Sequence, residues 1–140
     1  MTQDPVQDLL TLLEDNYAGA TACTFRREYV AQKERTRKSY CTVRTLGPAS
    51  RSPKGVNPHY IRAPVQVDVW GMADLSLDGA GWAALWEGVE QVLEDNQAGF
   101  SNGDGDRYSA IELTAEQDLS RNRNPHYMFQ LNLRVFKSTT

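Results

Sequence analysis

Two short phrases each occur twice in this 140-residue chain, and they restrict its architecture more than any other feature. Leu-Glu-Asp-Asn-x-Ala-Gly occupies residues 13–19 and 93–99, and Asn-Pro-His-Tyr occupies residues 57–60 and 124–127. Each copy of the first phrase closes an apolar pattern with helical spacing, and each copy of the second opens an alternating pattern typical of a strand. The sequence therefore predicts two related halves, each with a helix followed by a strand.

Two amphipathic helices are predicted. Asp4 followed by Pro5 is a strong helix start, because the carboxylate can cap free amides and proline fits the first turn. With apolar residues recurring at helical spacing, this start predicts a first helix over residues 5–16. A wider apolar stripe, which carries two tryptophans as core residues, predicts a second helix over Trp82–Leu93.

Alternating patterns predict the strands. They occupy residues 21–30, 39–45, 65–69, 108–117 and 127–135. The first two are expected to pair as a hairpin through residues 31–38, although a helix over 28–38 competes, because its Glu, Gln, Lys and Arg residues favour helix. In the fourth segment, Ile111, Leu113 and Ala115 are expected to share one face.

Together these elements predict an α/β (α+β) fold. It consists of a twisted, mixed, mainly antiparallel sheet of four to five strands, with two helices packed on one face. The 140 residues fit a single domain, which includes a basic hairpin or loop region at about residues 26–58.

The repeat also makes a prediction about the sheet. Aligning the two strands after the shared turn matches residues 65–69 with 131–135, but the first copy holds one extra residue before the match. Because side chains alternate along a strand, a structural repeat requires a bulge or irregular entry at Ala63-Pro64. Without such an irregularity, Tyr60 and Tyr127 are expected on opposite faces of the sheet.

Composition excludes several classes of protein. The chain has 15 Lys and Arg, 18 Asp and Glu, and 40% hydrophobic residues, which is ordinary for a globular domain. No apolar run is long enough for a membrane span, and the N-terminal MTQDPVQD lacks the features of a signal peptide, so we expect a cytoplasmic location where the chain is made. Cys23 and Cys41 are expected as free thiols, with a structural disulfide as the less favoured alternative.

No constellation of residues matches a catalytic template. The chain has no Gly-rich phosphate loop with lysine and no Gly-x-Ser-x-Gly elbow, and its cysteines and histidines lack the spacing of zinc modules. His59 and His126 occupy the same place in their turns, which favours a shared structural role such as a hydrogen bond to the turn backbone. Residues 102–106 resemble a fragment of a calcium loop, but a flexible turn is favoured. Three carboxylates could form a metal-dependent nuclease cluster, but solvent-facing strand and turn positions are favoured for Asp68, Asp74 and Asp78. The sequence therefore predicts a protein that is not an enzyme, with no cofactor and no metal.

Charge is distributed unevenly along the chain. Residues 23–64 contain ten basic and two acidic residues, a balance of +8, whereas the remainder contains five basic and 16 acidic residues, a balance of −11. Such a split indicates electrostatic recognition of a partner, including head-to-tail contacts between identical subunits. A solvated loop neutralised by its own protein is the alternative.

One stretch is similar to a known family. Ala63–Gly71 reads Ala-Pro-Val-Gln-Val-Asp-Val-Trp-Gly and is followed by a short turn, a predicted helix, a loop and two closing strands. This order, on a chain that opens with a helix, resembles the tail terminator (tail completion) proteins of long-tailed bacteriophages and phage-tail-like particles. The similarity covers about residues 60–137 and, loosely, the first helix; the charged segment 28–57 is longer than the connection typical of the family.

The resemblance implies a structural virion protein, located at the head-proximal end of the tail after assembly in the host cytoplasm. Such proteins form a hexameric ring that caps the tail tube, stops its polymerisation and provides the head-tail joining surface. The implied partners are further copies of the chain, the tail tube protein and a head-tail connector or stopper protein, with transient contact to DNA passing through the ring and no membrane. A neck or head-closure connector protein and, third, a small metal-dependent α/β enzyme are the alternatives.

A closed ring needs complementary subunit faces, which the charge split could supply. We therefore assign subunit or partner contacts to two sets of charged residues. The basic set is Arg26, Arg27, Arg35, Arg37, Lys38 and Arg44, and the acidic set is Glu87, Glu90 and Glu94.

Overall fold

The structure, a computed structural model, describes residues 4–19, 22–27, 39–47, 50–51, 59–71, 79–101, 107–119 and 125–137. Within these ranges the chain forms two helices and seven strands. The helices are α1 (Pro5–Asn16) and α2 (Gly79–Asp95). The strands are β1 (Thr24–Arg27), β2 (Tyr40–Thr45), β3 (Ser50–Arg51), β4 (His59–Trp70), β5 (Phe100–Ser101), β6 (Arg107–Asp118) and β7 (His126–Lys137).

Helix α1 confirms the predicted range, residues 5–16. The Asp4 side chain accepts a hydrogen bond from the Gln7 backbone N–H at 3.2 Å, as its position before Pro5 predicts. The helix stops where Tyr17 adopts an extended backbone. Helix α2 extends the predicted range by three residues at its start and two at its end. Neither described helix is long and apolar enough to cross a membrane.

The sheet is mixed and mainly antiparallel, as predicted. Six strands follow one another in the order β1-β2-β4-β7-β6-β5, and β3 pairs with β4 beside this path. The predicted count of four to five strands is therefore too low. The strands missed by sequence, β3 and β5, are two residues long each, which is too short for alternation to show.

The predicted hairpin between the first two strands is wrong. Strands β1 and β2 are neighbours, but they run parallel, from Thr24 opposite Tyr40 to Arg27 opposite Val43. Two neighbouring strands that run in the same direction cannot be joined by a tight turn, because the second strand begins beside the start of the first and the connection must cross the length of the strand. Residues 28–38, for which a hairpin tip and a helix competed, lie outside the described residues.

Both helices contribute to a single hydrophobic core with one face of the sheet. The inward side chains of α1 and α2 meet alternate residues of β2, β4 and β7, the pattern expected of a half-buried sheet. Trp82 and Trp86 pack against this core, as their place on the apolar stripe predicts. The core also holds Cys41, and Cys23 packs against it; both are free thiols. Burial raises the pKa of Cys23 to about 12 and that of Cys41 well above its ordinary value.

The repeated phrases mark element boundaries, as predicted. Strands β4 and β7 begin at His59 and His126, the histidines of the two Asn-Pro-His-Tyr phrases, and the helices end within the two Leu-Glu-Asp-Asn phrases. Strand β4 pairs with β7 without a register shift, from His59 opposite Lys137 to Trp70 opposite His126. The bulge predicted at Ala63-Pro64 is therefore absent from this pairing.

The unbroken register has a consequence for the repeat. Positions 60 and 127 fall on opposite faces of the sheet, the outcome predicted for the case without an irregularity. Pro64 is accommodated in a strand interior because it lies between the stretches of β4 that pair with β2 and with β3. The two copies of the Asn-Pro-His-Tyr phrase thus begin strands at equivalent positions, but equivalent residues of the two copies lie on opposite faces of the sheet.

Candidate interaction surface

A bulge in β6 decides which side chains this strand presents to α2. Its pairing with β7 shifts register between Leu113 and Ala115, so that Ala115 lies opposite Gln130 and Glu116 lies opposite Phe129. The prediction that Ile111, Leu113 and Ala115 share a face is therefore wrong for Ala115. The extra residue reverses the alternation of side chains between the two faces of the sheet. Beyond the bulge, Glu116 and Asp118 occupy the positions on the helix side.

The bulge brings Glu116 beside the acidic face of α2. Burial, a hydrogen bond with the Glu116 side chain and the charges of Glu116, Glu94 and Glu87 raise the pKa of Glu90 to about 7. The Tyr127 hydroxyl donates to Glu116 Oε2 at 3.4 Å. Four carboxyl groups from two elements thus form one surface, which we call the acidic end of the sheet: Glu87, Glu90, Glu94 and Glu116.

A small apolar cavity of about 10 Å³, enough for roughly one water molecule, lies between α2 and β6 within this surface. Its floor is formed by Leu93, Ile111, Leu113, Phe129 and Leu131, and its rim includes Glu90, Glu94 and Gln97. Leu113 is 41% exposed, one of two large apolar side chains on the described surface that reach such exposure. The other apolar lining residues are buried, so Leu113 is the residue of this cavity that offers apolar contact beside the negative charge of the acidic end.

The outer edge of β6 is covered only at its beginning by described residues. Strand β5 pairs with Arg107 and Tyr108, and the Gln97 carbonyl accepts a hydrogen bond from the Ile111 N–H at 3.1 Å. From Leu113 to Asp118 every residue is exposed, and no described strand pairs with the outer side. Unpaired edge groups are a template for pairing with another chain.

The opposite end of the sheet is basic. Strand β1 is the terminal strand there and exposes Arg26 and Arg27. Arg27 Nη1 lies 2.6 Å from Asp4 Oδ2 at the start of α1, and the Arg26 guanidinium lies 5.6 Å from the centre of the Tyr40 ring. Arg35, Arg37 and Lys38, also assigned to partner contacts from the sequence, lie outside the described residues.

Arg44 occupies a different environment from the two arginines of β1. It lies on the sheet face away from the helices, with Nε 3.5 Å from Asp68 Oδ2. Its side chain is 48% exposed, but that of Asp68 is only 5% exposed. The pair joins neighbouring strands of one chain, so the described contact of Arg44 is internal.

Asp68 is the centre of a polar network that the sequence did not indicate. Its carboxylate lies 2.8 Å from His126 Nε2 and accepts hydrogen bonds from Gln66 Nε2 at 2.9 and 3.0 Å. The His126 ring stacks on Trp70 at a centroid distance of 3.6 Å, and Trp70 Nε1 donates to Thr42 Oγ1 at 3.3 Å. The expected solvent-facing position of Asp68 is therefore wrong, because the residue is 4% exposed.

This network joins two sequence motifs, since Asp68 and Trp70 belong to Val-Asp-Val-Trp and His126 to the second Asn-Pro-His-Tyr. The histidine ring bonds a carboxylate on the neighbouring strand, where the sequence suggested the turn backbone. Of the three polar partners of the buried Asp68 carboxylate, His126 lies on β7, Arg44 on β2 and Gln66 on β4 itself, so the network connects three neighbouring strands. Only the strand pairing, with Trp70 opposite His126, could have revealed the contact.

The two copies of Leu-Glu-Asp-Asn-x-Ala-Gly converge on one cavity. A cavity of about 520 Å³ lies between the end of α1 and the exposed stripe of α2, and it is lined by Asn16, Gly19, Gly88, Asp95 and Asn96 among others. Asn16 and Asn96 each donate from Nδ2 to a backbone carbonyl four residues earlier, at 2.8 Å. The repeated asparagines therefore have the same local role of capping a helix end.

No metal centre is formed by the residues that the structure describes, where no group of three or more His, Cys, Asp or Glu side chains could hold an ion. Of the three carboxylates considered for a nuclease cluster, Asp74 and Asp78 lie outside the described ranges, as do residues 102–106.

Comparison of the chain with known protein families finds no match, and comparison with curated proteins finds none either.

Proposed function

We propose that this chain is a structural subunit that assembles head to tail into a closed ring, and that the ring is a tail terminator. One observation carries the proposal: the two ends of the single sheet carry opposite charge. The terminal strand β1 exposes Arg26 and Arg27, whereas the other end gathers Glu87, Glu90, Glu94 and Glu116.

A ring requires an interface made of two different surfaces of the same subunit. Opposite charge on opposite sheet ends meets this requirement, because the basic end of one copy attracts the acidic end of the next. It also disfavours a two-fold dimer through either end, since each end would then meet its own charge. The acidic end further includes the exposed apolar Leu113, which would be buried by such a contact.

The identification of the ring as a tail terminator is supported by the resemblance of residues 63–71 and of the element order to that family. In this proposal the hexameric ring caps the tail tube, stops its polymerisation and presents a surface to the head-tail connector or stopper protein. Its partners are the tail tube protein, that connector and DNA in transient passage, and its place is the head-proximal end of the tail. The role is structural and involves no catalysis.

The proposal is tested by adding the purified chain to tail tube protein as the tube polymerises. We expect rings of six subunits by native mass spectrometry and electron microscopy, and shorter tubes with a ring at one end. A ring that binds a connector protein but leaves tube length unchanged would indicate the neck or head-closure alternative. A chain that neither forms rings nor changes tube length contradicts the proposal.

A further inference from the structure

The outer edge of β6 between Leu113 and Asp118 combines three features of a strand-binding site. Its residues are exposed, no described strand pairs with its outer side, and it presents the exposed apolar side chain of Leu113 beside Glu90 and Glu94 of α2. An edge strand beside a helix can accept an added strand, with main-chain hydrogen bonds for affinity and side-chain contacts for selectivity. The bulge at Leu113/Ala115 makes the negative charge part of this edge.

We infer that this edge of β6 pairs through its main chain with strand β1 of a second copy, so that the sheets of neighbouring subunits become continuous. The inference rests on the self-association proposed above and specifies the two strand edges that make the contact. Strand β1 is the occupant because, among the described strands, it terminates the other end of the same sheet and carries the complementary charge. Its four residues also fit the six-residue open stretch of β6.

The direction of the pairing follows from the topology. Strand β1 runs parallel to β2, and each step from β2 through β4 and β7 to β6 is antiparallel, so β6 runs opposite to β1. The rotation that builds a ring keeps the direction of every strand relative to the ring axis. Strand β6 therefore meets the neighbouring β1 in antiparallel orientation, which suits short strands.

The faces of the two strands also correspond. Arg27 lies opposite the core residue Val43, and Glu116 lies opposite the core residue Phe129, so both occupy the helix side of the sheet. A continuous sheet in a ring keeps this side common to all subunits. Arg27 of one copy then approaches the acidic end of the next, and because a guanidinium has five N–H donors it can hold Asp4 and a second carboxylate together.

Charge reversal on the full chain tests the pairing. Glu116→Arg and Arg27→Glu should each weaken self-association by about 100-fold, because each places like charges across the contact. The double variant Glu116→Arg/Arg27→Glu should recover most of the affinity, since opposite charges again face each other. The matched control is Glu14→Arg, which makes the same charge change at an exposed position of α1 and should associate like the wild type.

Association is measured by analytical ultracentrifugation, and circular dichroism verifies that each variant is folded. If Arg27→Glu disturbs the start of α1, Asp118→Arg replaces it as a second reversal on β6 alone. Backbone amide exchange on the wild type supplies an independent measurement. Amides of residues 24–27 and 113–118 should exchange at least tenfold more slowly in the associated state.

The outcomes separate this inference from the proposed function. Rings that form equally well with Glu116→Arg, or that leave the β6 amides unprotected, overturn the β6–β1 pairing while the terminator proposal stands. Protected β1 and β6 edges in open chains that never close or cap tubes support the pairing and contradict the terminator. A wild-type chain that stays monomeric at every concentration overturns the pairing.

Discussion

Glu90 is the residue of the acidic end whose ionisation is disfavoured by three neighbouring carboxyl groups. It lies among Glu87, Glu94 and Glu116, and its pKa of about 7 shows that the folded chain resists ionising it. Burial is the largest cause, followed by the hydrogen bond and charge of Glu116. A cation placed beside Glu90 by a neighbouring subunit would favour the ionised carboxylate and lower its pKa.

The raised pKa of Glu90 predicts how stability depends on pH. Because the folded-state pKa, about 7, lies above the ordinary value of 4.5, the folded chain binds this proton more tightly than the unfolded chain does. The contribution of Glu90 to stability is therefore fully present below pH 4.5 and is lost as pH rises through about 7.

Glu90→Gln removes this titration and should be more stable than the wild type at pH 8, with the difference narrowing or reversing at pH 5. Urea unfolding of the monomer at both pH values measures it. Glu14→Gln makes the same chemical change at an exposed site of α1 and serves as the control. A difference between Glu90→Gln and wild type that does not change with pH would refute the expected role of Glu90.

At the scale of elements, the two helices are fixed to each other by a close contact at Gly88. A Cβ added at Gly88 would lie 2.6 Å from Tyr17 Cε2 and 3.1 Å from the Cα of Gly19. The end of α1 therefore packs directly against the backbone of α2. Tyr17 in turn makes an edge-on contact with Phe25 of β1, with ring centroids 5.6 Å apart. The contact thus connects α2, α1 and the basic end of the sheet.

Gly88→Ala should destabilise the chain although alanine favours helix. The gain in helix propensity is about 1 kcal/mol, and overpacking against an aromatic ring and a backbone costs about 1–3 kcal/mol. We expect a net loss of about 1 kcal/mol in the free energy of unfolding, measured by thermal or urea denaturation. Gln91→Ala, an exposed change one turn further along α2, should alter stability by less than about 0.5 kcal/mol. An unchanged or raised stability for Gly88→Ala would show that Tyr17 moves aside without cost.

Most elements could be predicted from the sequence because their signals are local. The cap at Asp4 and Pro5, the apolar stripe of α2 and the alternation in β7 all act within a few residues. The bulge in β6 could not be predicted, since Ile111, Leu113 and Ala115 alternate without interruption and only pairing with β7 imposes the shift. The parallel direction of β1 and β2 was missed for the same reason.

The charge split along the sequence becomes, in the whole molecule, a separation between the two ends of one sheet. Residues 23–64 have a balance of +8 and the remainder −11, but much of this charge is used within the chain, as in the pairs of Arg44 with Asp68 and Arg134 with Glu112. Arg27 also pairs with Asp4 within the chain, and it is the exposed Arg27 and Glu116 that are proposed to meet between subunits.

Association driven by these ends should weaken as salt is added. The screening length falls from about 10 Å at 0.1 M to about 3 Å at 1 M ionic strength, which acts on exposed charges far more than on the buried core. Sedimentation in 0.05 and 0.5 M sodium chloride should show association weakened by about tenfold or more. The free energy of unfolding of the monomer, measured as the control, should change little. Association that strengthens with salt would indicate an apolar interface through Leu113 and not the charged ends.

The sequence by itself determined where the two helices end, where β4 and β7 begin and that the sheet is mainly antiparallel, because caps, prolines and apolar periodicity act between residues close in the chain. It also determined that positive and negative charge are separated. The tertiary structure alone decided which charges meet. Asp68 reaches His126 across paired strands, Glu116 reaches Glu90 through a bulge, and β1 and the uncovered part of β6 become opposite edges of the described sheet. Each of these depends on the register and direction of strands distant in sequence, which no local pattern specifies.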